Sequence, residues 1–177
     1  RLGAEVIKGH ARLVDPWTVE ISRDDGRQDR LTTRAIILAT GAAPFVPGLP
    51  GLETVGYLTS DTLWEEMARR ERAPRRLVVL GGGPIGCELA QSFARLGSEV
   101  TQVEMLPRLL MREDEDVAET VRAALAFDGV AILTSHRSLA CGVTGGEKWI
   151  EVEANGEHRR IGFDDLIIAV GRAARLT

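Results

Sequence analysis

Cysteine is nearly absent from this chain: Cys87 and Cys141 are the two in 177 residues. They have neither metal-ligand spacing nor the density of a disulfide framework, which points to a reducing cytoplasm. Long hydrophobic runs are lacking too, since no apolar stretch reaches the ~18–20 residues of a membrane span. Positive charge is not in excess. The 26 acidic residues outnumber the 22 basic ones, for a formal net charge of −4, so global charge gives no reason to expect nucleic-acid binding. The first residue is Arg1, and no secretory n-region and h-region follow, so the chain reads as a processed or cut piece. Disorder is excluded by the 44% of hydrophobic residues, and the length suits one domain, or one plus part of another, with a real core. His10, His136 and His158 are scattered among expected strands and turns, with no Ser/His/Asp grouping, so none is assigned a catalytic role.

Glycine is what the chain has in excess, at 19 residues, or about 11% against an ordinary ~7%. Short alternating apolar stretches between Ala4 and Ile21 predict strands of a β-meander, and charged Ser22–Arg30 a turn. The continuous run from Arg34 to Gly41 predicts a buried strand. A link rich in Pro and Gly follows at 44–51 and reads as a domain boundary. A short helix is expected over 61–70, capped by Ser60 or Asp61.

From Arg76 the pattern becomes β-α-β. Leu77–Gly81 predicts a buried strand, and 84–96 a helix with Ile85, Leu89, Phe93 and Leu96 on one face and Gly97 ending it. Residues 98–104 predict the next strand, and 113–127 a second helix with Val117, Val121 and Leu125 inward. Several short strands complete the chain, two of them joined at Asn155-Gly156, a two-residue hairpin signal, and the last running from Leu166 to Val170. The runs 36–43 and 166–174 echo one another, each apolar and then glycine before small residues. Pattern alone leaves open whether this is more than chance.

The sharpest motif is the strand Leu77–Leu80 followed by Gly81, Gly82, Gly83, Pro84, Ile85 and Gly86, with Glu104 ending the next strand. Gly81 permits the tight turn, Gly83 lets backbone approach a pyrophosphate, and Gly86 lets helix and sheet pack closely. The phosphates would sit at the helix N-terminus, where Pro84 is at ease because its missing N–H has no intrahelical use. No Gly-Lys-Ser/Thr follows, which argues against a nucleoside-triphosphate loop. Glu104 can accept both ribose hydroxyls of NAD but repels a 2′-phosphate. Two like charges ~4 Å apart at an effective dielectric of ~20 cost about 4 kcal/mol, so NAD(H) is expected over NADP(H). Arg108 and Arg112 could soften that preference but are read first as solvated, as is the basic run 68–76. Glu88 has two open readings: an exposed helix carboxylate, or a nicotinamide-side carboxylate awaiting a cation from another domain. Cys87 is read as a small core residue.

Taken together, the stretches LTSDTLW, LVVLGGGPIGCELAQSFARLGSEVTQVE, ILATGAAP and LIIAVGR resemble the class I pyridine nucleotide-disulfide oxidoreductases. The flavour is mercuric reductase-like and dihydrolipoamide dehydrogenase-like, and the resemblance covers nearly the whole chain. It implies an α/β, Rossmann-like FAD/NAD(P)-binding fold: a parallel sheet with helices and a β-meander, preceded by a partial FAD-domain β segment. The implied division is 1–42 for that segment, 43–171 for the NAD-binding domain, and 172–177 for the start of the return to the FAD domain. The implied NAD contacts are Gly81, Gly82, Gly83, Pro84, Ile85, Gly86, Glu88, Glu104, Ser138 and Gly171. The implied FAD contacts are Ala11, Thr40, Gly41 and Ala42. No metal ligand or catalytic residue is implied within the chain, Glu88 apart. Pro84 stands where some members carry a gating aromatic, and Ala173-Ala174-Arg175 replaces the usual Pro-Asn continuation.

The resemblance further implies a cytoplasmic, homodimeric parent flavoprotein that passes hydride from NADH to FAD and on to a disulfide, a metal ion or another acceptor, this piece alone being inactive. The alternatives are a flavoprotein without a redox disulfide, such as an NADH oxidase or ferredoxin reductase, and a stand-alone NADH-sensing module. A methyltransferase glycine loop is disfavoured by the strands ending at Gly41 and Gly171.

Overall fold

Residues 3–174 are described by a computed structural model, which divides into two compact units, Arg1–Thr40 and Gly41–Thr177. The first unit holds an antiparallel meander of β1 (His10–Asp15), β2 (Thr18–Ser22) and β3 (Gln28–Thr32). Its β1–β2 turn is set by Asp15, whose carboxylate accepts the Trp17 N–H at 2.7 Å. Three expectations fail here. Residues 4–7 form no strand, and the charged stretch holds β3 as well as a turn. The run 34–41 is not a buried strand either: Ile37 is 91% and Leu38 67% exposed. An apolar run becomes a central strand only where neighbours hydrogen-bond to its edges and cover its faces, and none of the described strands does so.

The second unit begins with β4 (Ala42–Pro44), α1 (Leu52–Val55), β5 (Leu58–Thr59) and α2 (Leu63–Ala68). The helix α2 is shorter than expected and starts after Thr62, because the Thr62 hydroxyl accepts the Thr59 N–H at 3.0 Å and closes a turn over 59–62. Then come β6 (Arg76–Leu80), α3 (Pro84–Arg95), β7 (Glu99–Val103), α4 (Glu115–Phe127) and β8 (Ala131–Leu133). The chain continues through β9 (Arg137–Thr144), β10 (Glu147–Ala154), β11 (Glu157–Phe163), β12 (Asp165–Ile168) and β13 (Arg172–Ala174). Residues 175–177 of the expected return segment lie outside the described residues.

Five of these strands form a parallel sheet in the order β5-β12-β6-β7-β8. A side-chain period of two divides its faces. Leu77, Val79, Val100 and Ile167 meet α3 and α4 in one buried cluster. Val78, Leu80, Val103, Leu166 and Ile168 meet Cys141, Ile150, Val152 and Phe163 of the antiparallel β9–β11 sheet in the other. The sheet is therefore covered by helices on one side and by a meander on the other. Asn155 and Gly156 take positive φ (55° and 82°), the twist a two-residue hairpin requires.

Both helices end alike. Gly97 takes φ +93°, Ser98 N–H reaches Phe93 O and Gly97 N–H reaches Ala94 O, a Schellman closure; Gly129 and Val130 repeat it on α4. Two residues of the expected inward faces point outward: Leu96 is 69% and Val117 50% exposed. Leu96 already sits in the C-cap, beyond the helical period, and Ala118 takes the inward place beside Leu125. The expected solvated basic run is partly engaged: Arg70 pairs with Asp165 at the start of β12, and Arg76 of β6 with Asp164 and with Glu147 at the start of β10.

Candidate functional site

Strand order reverses at β6: β7 and β8 follow on one side, β12 and β5 on the other. In open parallel sheets such a reversal leaves a crevice beyond the strand ends, between loops that diverge. A cleft of about 960 Å³ lies there, lined by the residues that end β6, β7 and β12. Gly81, Gly82, Gly83, Pro84, Ile85, Glu104, Ser138 and Gly171 all line it.

Gly81 leaves β6 at φ +118°, a conformation side chains disfavour, and a Cβ there would stand 2.4 Å from the Ala169 carbonyl oxygen. Gly82 donates its N–H to Glu104 Oε2 at 2.5 Å, and its carbonyl accepts from Leu110 N–H at 2.8 Å. Gly83 is the N-cap of α3 and has open space where a Cβ would be. Pro84 is the first helical residue. Gly86 lies beneath the loop, where a Cβ would come within 2.2 Å of the Gly81 oxygen.

The Glu104 carboxylate is held on both oxygens, by Gly82 N–H and by Leu106 N–H at 2.7 Å. A carboxylate has about four acceptor sites, so two remain for hydroxyl donors. Its backbone is gripped as well: Glu104 N–H bonds Leu133 O, and Glu104 O accepts from His136 N–H. The Ser138 hydroxyl is buried and has no hydrogen-bond partner among the described residues. Gly171, at φ +144°, offers its carbonyl to Phe45 N–H at 2.9 Å.

Residues 2–177 match the family model described as pyridine nucleotide-disulphide oxidoreductase. The chain belongs to this family. It is 39% identical over 170 residues to a mercuric reductase of Bacillus cereus, covering 96% of this chain and 26% of that protein. It is 35% identical over 174 residues to a dihydrolipoyl dehydrogenase of Pseudomonas aeruginosa, covering 98% of this chain and 36% of that one. A solved structure, the Cu(II) complex of the HOCl-induced flavoprotein disulfide reductase RclA from Escherichia coli, superposes with a TM-score of 0.73 at 31% identity. That match covers 95% of this chain and 36% of the reductase. The chain thus spans roughly a quarter to a third of its relatives' length.

In this oxidoreductase-family chain the remaining expected contacts are not among the residues that line the cleft. Glu88 is exposed on α3 and does not line the cleft. Cys87 is buried, and burial pushes its thiol up from the ordinary range. Ala11, on β1, and Thr40 belong to the first unit, whereas Gly41 (φ +74°) and Ala42 belong to the second, where Ala42 pairs with Ala174. Among the described residues no group of three His, Cys, Asp or Glu is placed to hold a metal, and no helix is long and apolar enough to cross a membrane.

Two arginines at the cleft have work that the sequence reading missed. Arg108 is not a solvated cation: its guanidinium donates to the carbonyls of Leu110 (2.8 Å), Met111 (3.3 Å) and Glu113 (3.0 Å). It thereby shapes the loop whose Leu110, at φ +49°, docks on Gly82. Arg112 remains exposed at the rim. Arg172 bonds Ser60, Asp61 and the Ala42 carbonyl, joining β13 to β4 and to the end of β5. The partners of Arg108 are backbone carbonyls, which leave no mark in residue identity, and the side-chain partners of Arg172 lie 112 and 111 positions away, so no local sequence signal announced either role.

Proposed function

We propose that the chain is the NAD(H)-binding part of a flavin-dependent pyridine nucleotide-disulphide oxidoreductase. In this reading, 43–171 is the nucleotide module, 1–42 belongs to the FAD domain, and 172–177 begins the return to it. The observation that carries it is the Glu104–Gly82 hydrogen bond, which sets an acid and a glycine loop side by side on a cleft at the strand-order reversal.

The residues suit a dinucleotide. The open space over Gly83 admits a pyrophosphate, and the first-turn N–H groups of Ile85 and Gly86 are left for it by helix geometry. Glu104 takes the adenosine ribose hydroxyls with its spare acceptor sites. The buried Ser138 hydroxyl would meet the adenine side, and Gly171 the nicotinamide side, both lining the cleft. When bound, NADH would supply a hydride to a flavin, which Ala11, Thr40, Gly41 and Ala42 would help to hold together with further protein, the electrons passing on to a disulfide, a metal ion or another acceptor. Glu88, exposed, is the carboxylate that a cation from further protein would meet. The whole flavoprotein would act as a homodimer, with this chain inactive by itself.

Calorimetric titration with NADH and NADPH tests the proposal. NADH should bind well above NADPH, and Glu104→Gln should narrow the gap by roughly tenfold or more, because it removes the charge that repels a 2′-phosphate. Preference for NADPH in the unmodified chain would overturn the charge argument. Binding of neither, by folded chain, would overturn the module.

A further inference from the structure

Gln102 is a polar residue in an apolar place. It sits in β7 at 0% exposure, between residues of the two hydrophobic clusters, with its amide under α3. Burying an amide there is costly unless its donors find acceptors. Its Nε2 donates to the Gly81 carbonyl at 3.0 Å and reaches Cys87 Sγ at 3.6 Å, while its Oε1 is buried without a partner among the described residues. A β-branched or aliphatic residue would satisfy the strand and the packing better.

The Gly81 carbonyl and the Gly82 N–H belong to one peptide plane, and in a trans peptide they point in opposite directions. Gln102 therefore holds one end of the plane from within the core, and Glu104 holds the other from the cleft. The two side chains come from one strand end, two residues apart. Gly86 closes the remaining side, leaving no room beside the Gly81 oxygen.

We infer that Gln102 is a positioning residue for the cofactor: it clamps the first peptide of the glycine loop and thereby fixes the orientation of the Glu104 carboxylate. The inference rests on the reading of the cleft as a dinucleotide site. Without the Gln102 amide, the 81–82 peptide is free to rotate about its flanking glycine torsions, and Glu104 loses a fixed donor. Affinity for NADH then falls, and so does the discrimination against NADPH that depends on where that carboxylate points.

The test compares the chain with Gln102→Leu and with Gln102→Met, which keeps the length and removes the donor. Each variant exchanges one orphan, Oε1, for another, the Gly81 carbonyl, so the melting temperature should hardly change. NADH affinity should fall about five- to tenfold, the worth of one neutral hydrogen bond, with the NADH/NADPH ratio falling alongside. Amide exchange at Gly82, measured without nucleotide, should quicken by a similar factor. Unchanged Gly82 exchange, or unchanged affinity and ratio, would overturn the inference. So would loss of folding in both variants, since the role would then be structural. If the unmodified chain binds neither nucleotide, the dinucleotide reading fails, while Gly82 exchange still decides the clamp.

Discussion

Gly83 has open space where its neighbours have walls. A methyl group at Gly81 or Gly86 would strike backbone at 2.4 and 2.2 Å, whereas one at Gly83 meets nothing, and its φ of −76° suits any residue. The three glycines therefore separate by surroundings: two are closed in by backbone and one faces open space at the cleft. Gly83→Ala should lower the melting temperature by only about 2–4 °C, since alanine is a poorer N-cap than glycine by roughly 1 kcal/mol, and weaken NADH roughly ten- to a hundredfold by crowding the pyrophosphate. Calorimetry beside thermal unfolding would check both. A drop in stability with affinity intact would reverse the assignment. Which glycine does what was partly legible in the spacing, because turn, approach and packing positions recur in loops of this kind. The partner on each glycine was not. Glu104 was expected at a ribose; its hold on Gly82 N–H came only with the structure.

At the scale of elements, the β-α-β core follows its hydrophobic period closely, since buried parallel strands and amphipathic helices write their burial into the pattern. The failures lie at helix ends and where charged residues act across the fold. Arg76 and Asp164 are 88 positions apart, yet the Asp164 carboxylate accepts from both the Arg76 N–H (2.9 Å) and the Arg76 guanidinium (2.9 Å), binding β6 to the turn before β12. These bonds hold the Asp164 carboxyl below its ordinary value of 3.8. A carboxyl so depressed lends stability above that ordinary value and loses it as pH falls through the folded-state value. Asp164→Asn should therefore be less stable than the unmodified chain at pH 7, with the gap closing as pH drops below about 4. Urea unfolding at several pH values measures it, and a gap constant down to pH 2 would show that the carboxylate charge contributes nothing.

Over the whole molecule, apolar burial is unevenly shared. Ile21 is the one buried hydrophobic residue described in the first unit, where Val6, Trp17, Ile37 and Leu38 are exposed. A run such as 37–39, exposed at every residue, is a candidate for association. The chain alone should self-associate as its concentration rises. Ile37→Lys combined with Leu38→Lys should suppress this without altering NADH affinity, as those residues do not line the cleft. Analytical ultracentrifugation across concentrations, with titration of the variant, tests it. A monomer at every concentration would mean that the exposed run is harmless.

The order of strands and helices from Arg76 onward, the glycine loop and the acid that follows it were determined by sequence, because each depends on neighbours within a few residues or on a repeating period. Residues from distant parts of the chain acquire their roles through three-dimensional packing. The sheet order placed Gly81, Glu104, Ser138 and Gly171 on one cleft, and it turned Arg108 and Gln102 into supports for the loop. The apolar run at 34–41 marks the difference most plainly. Its composition fits a buried strand, but a strand is made by its neighbours, and only tertiary structure shows whether they are present.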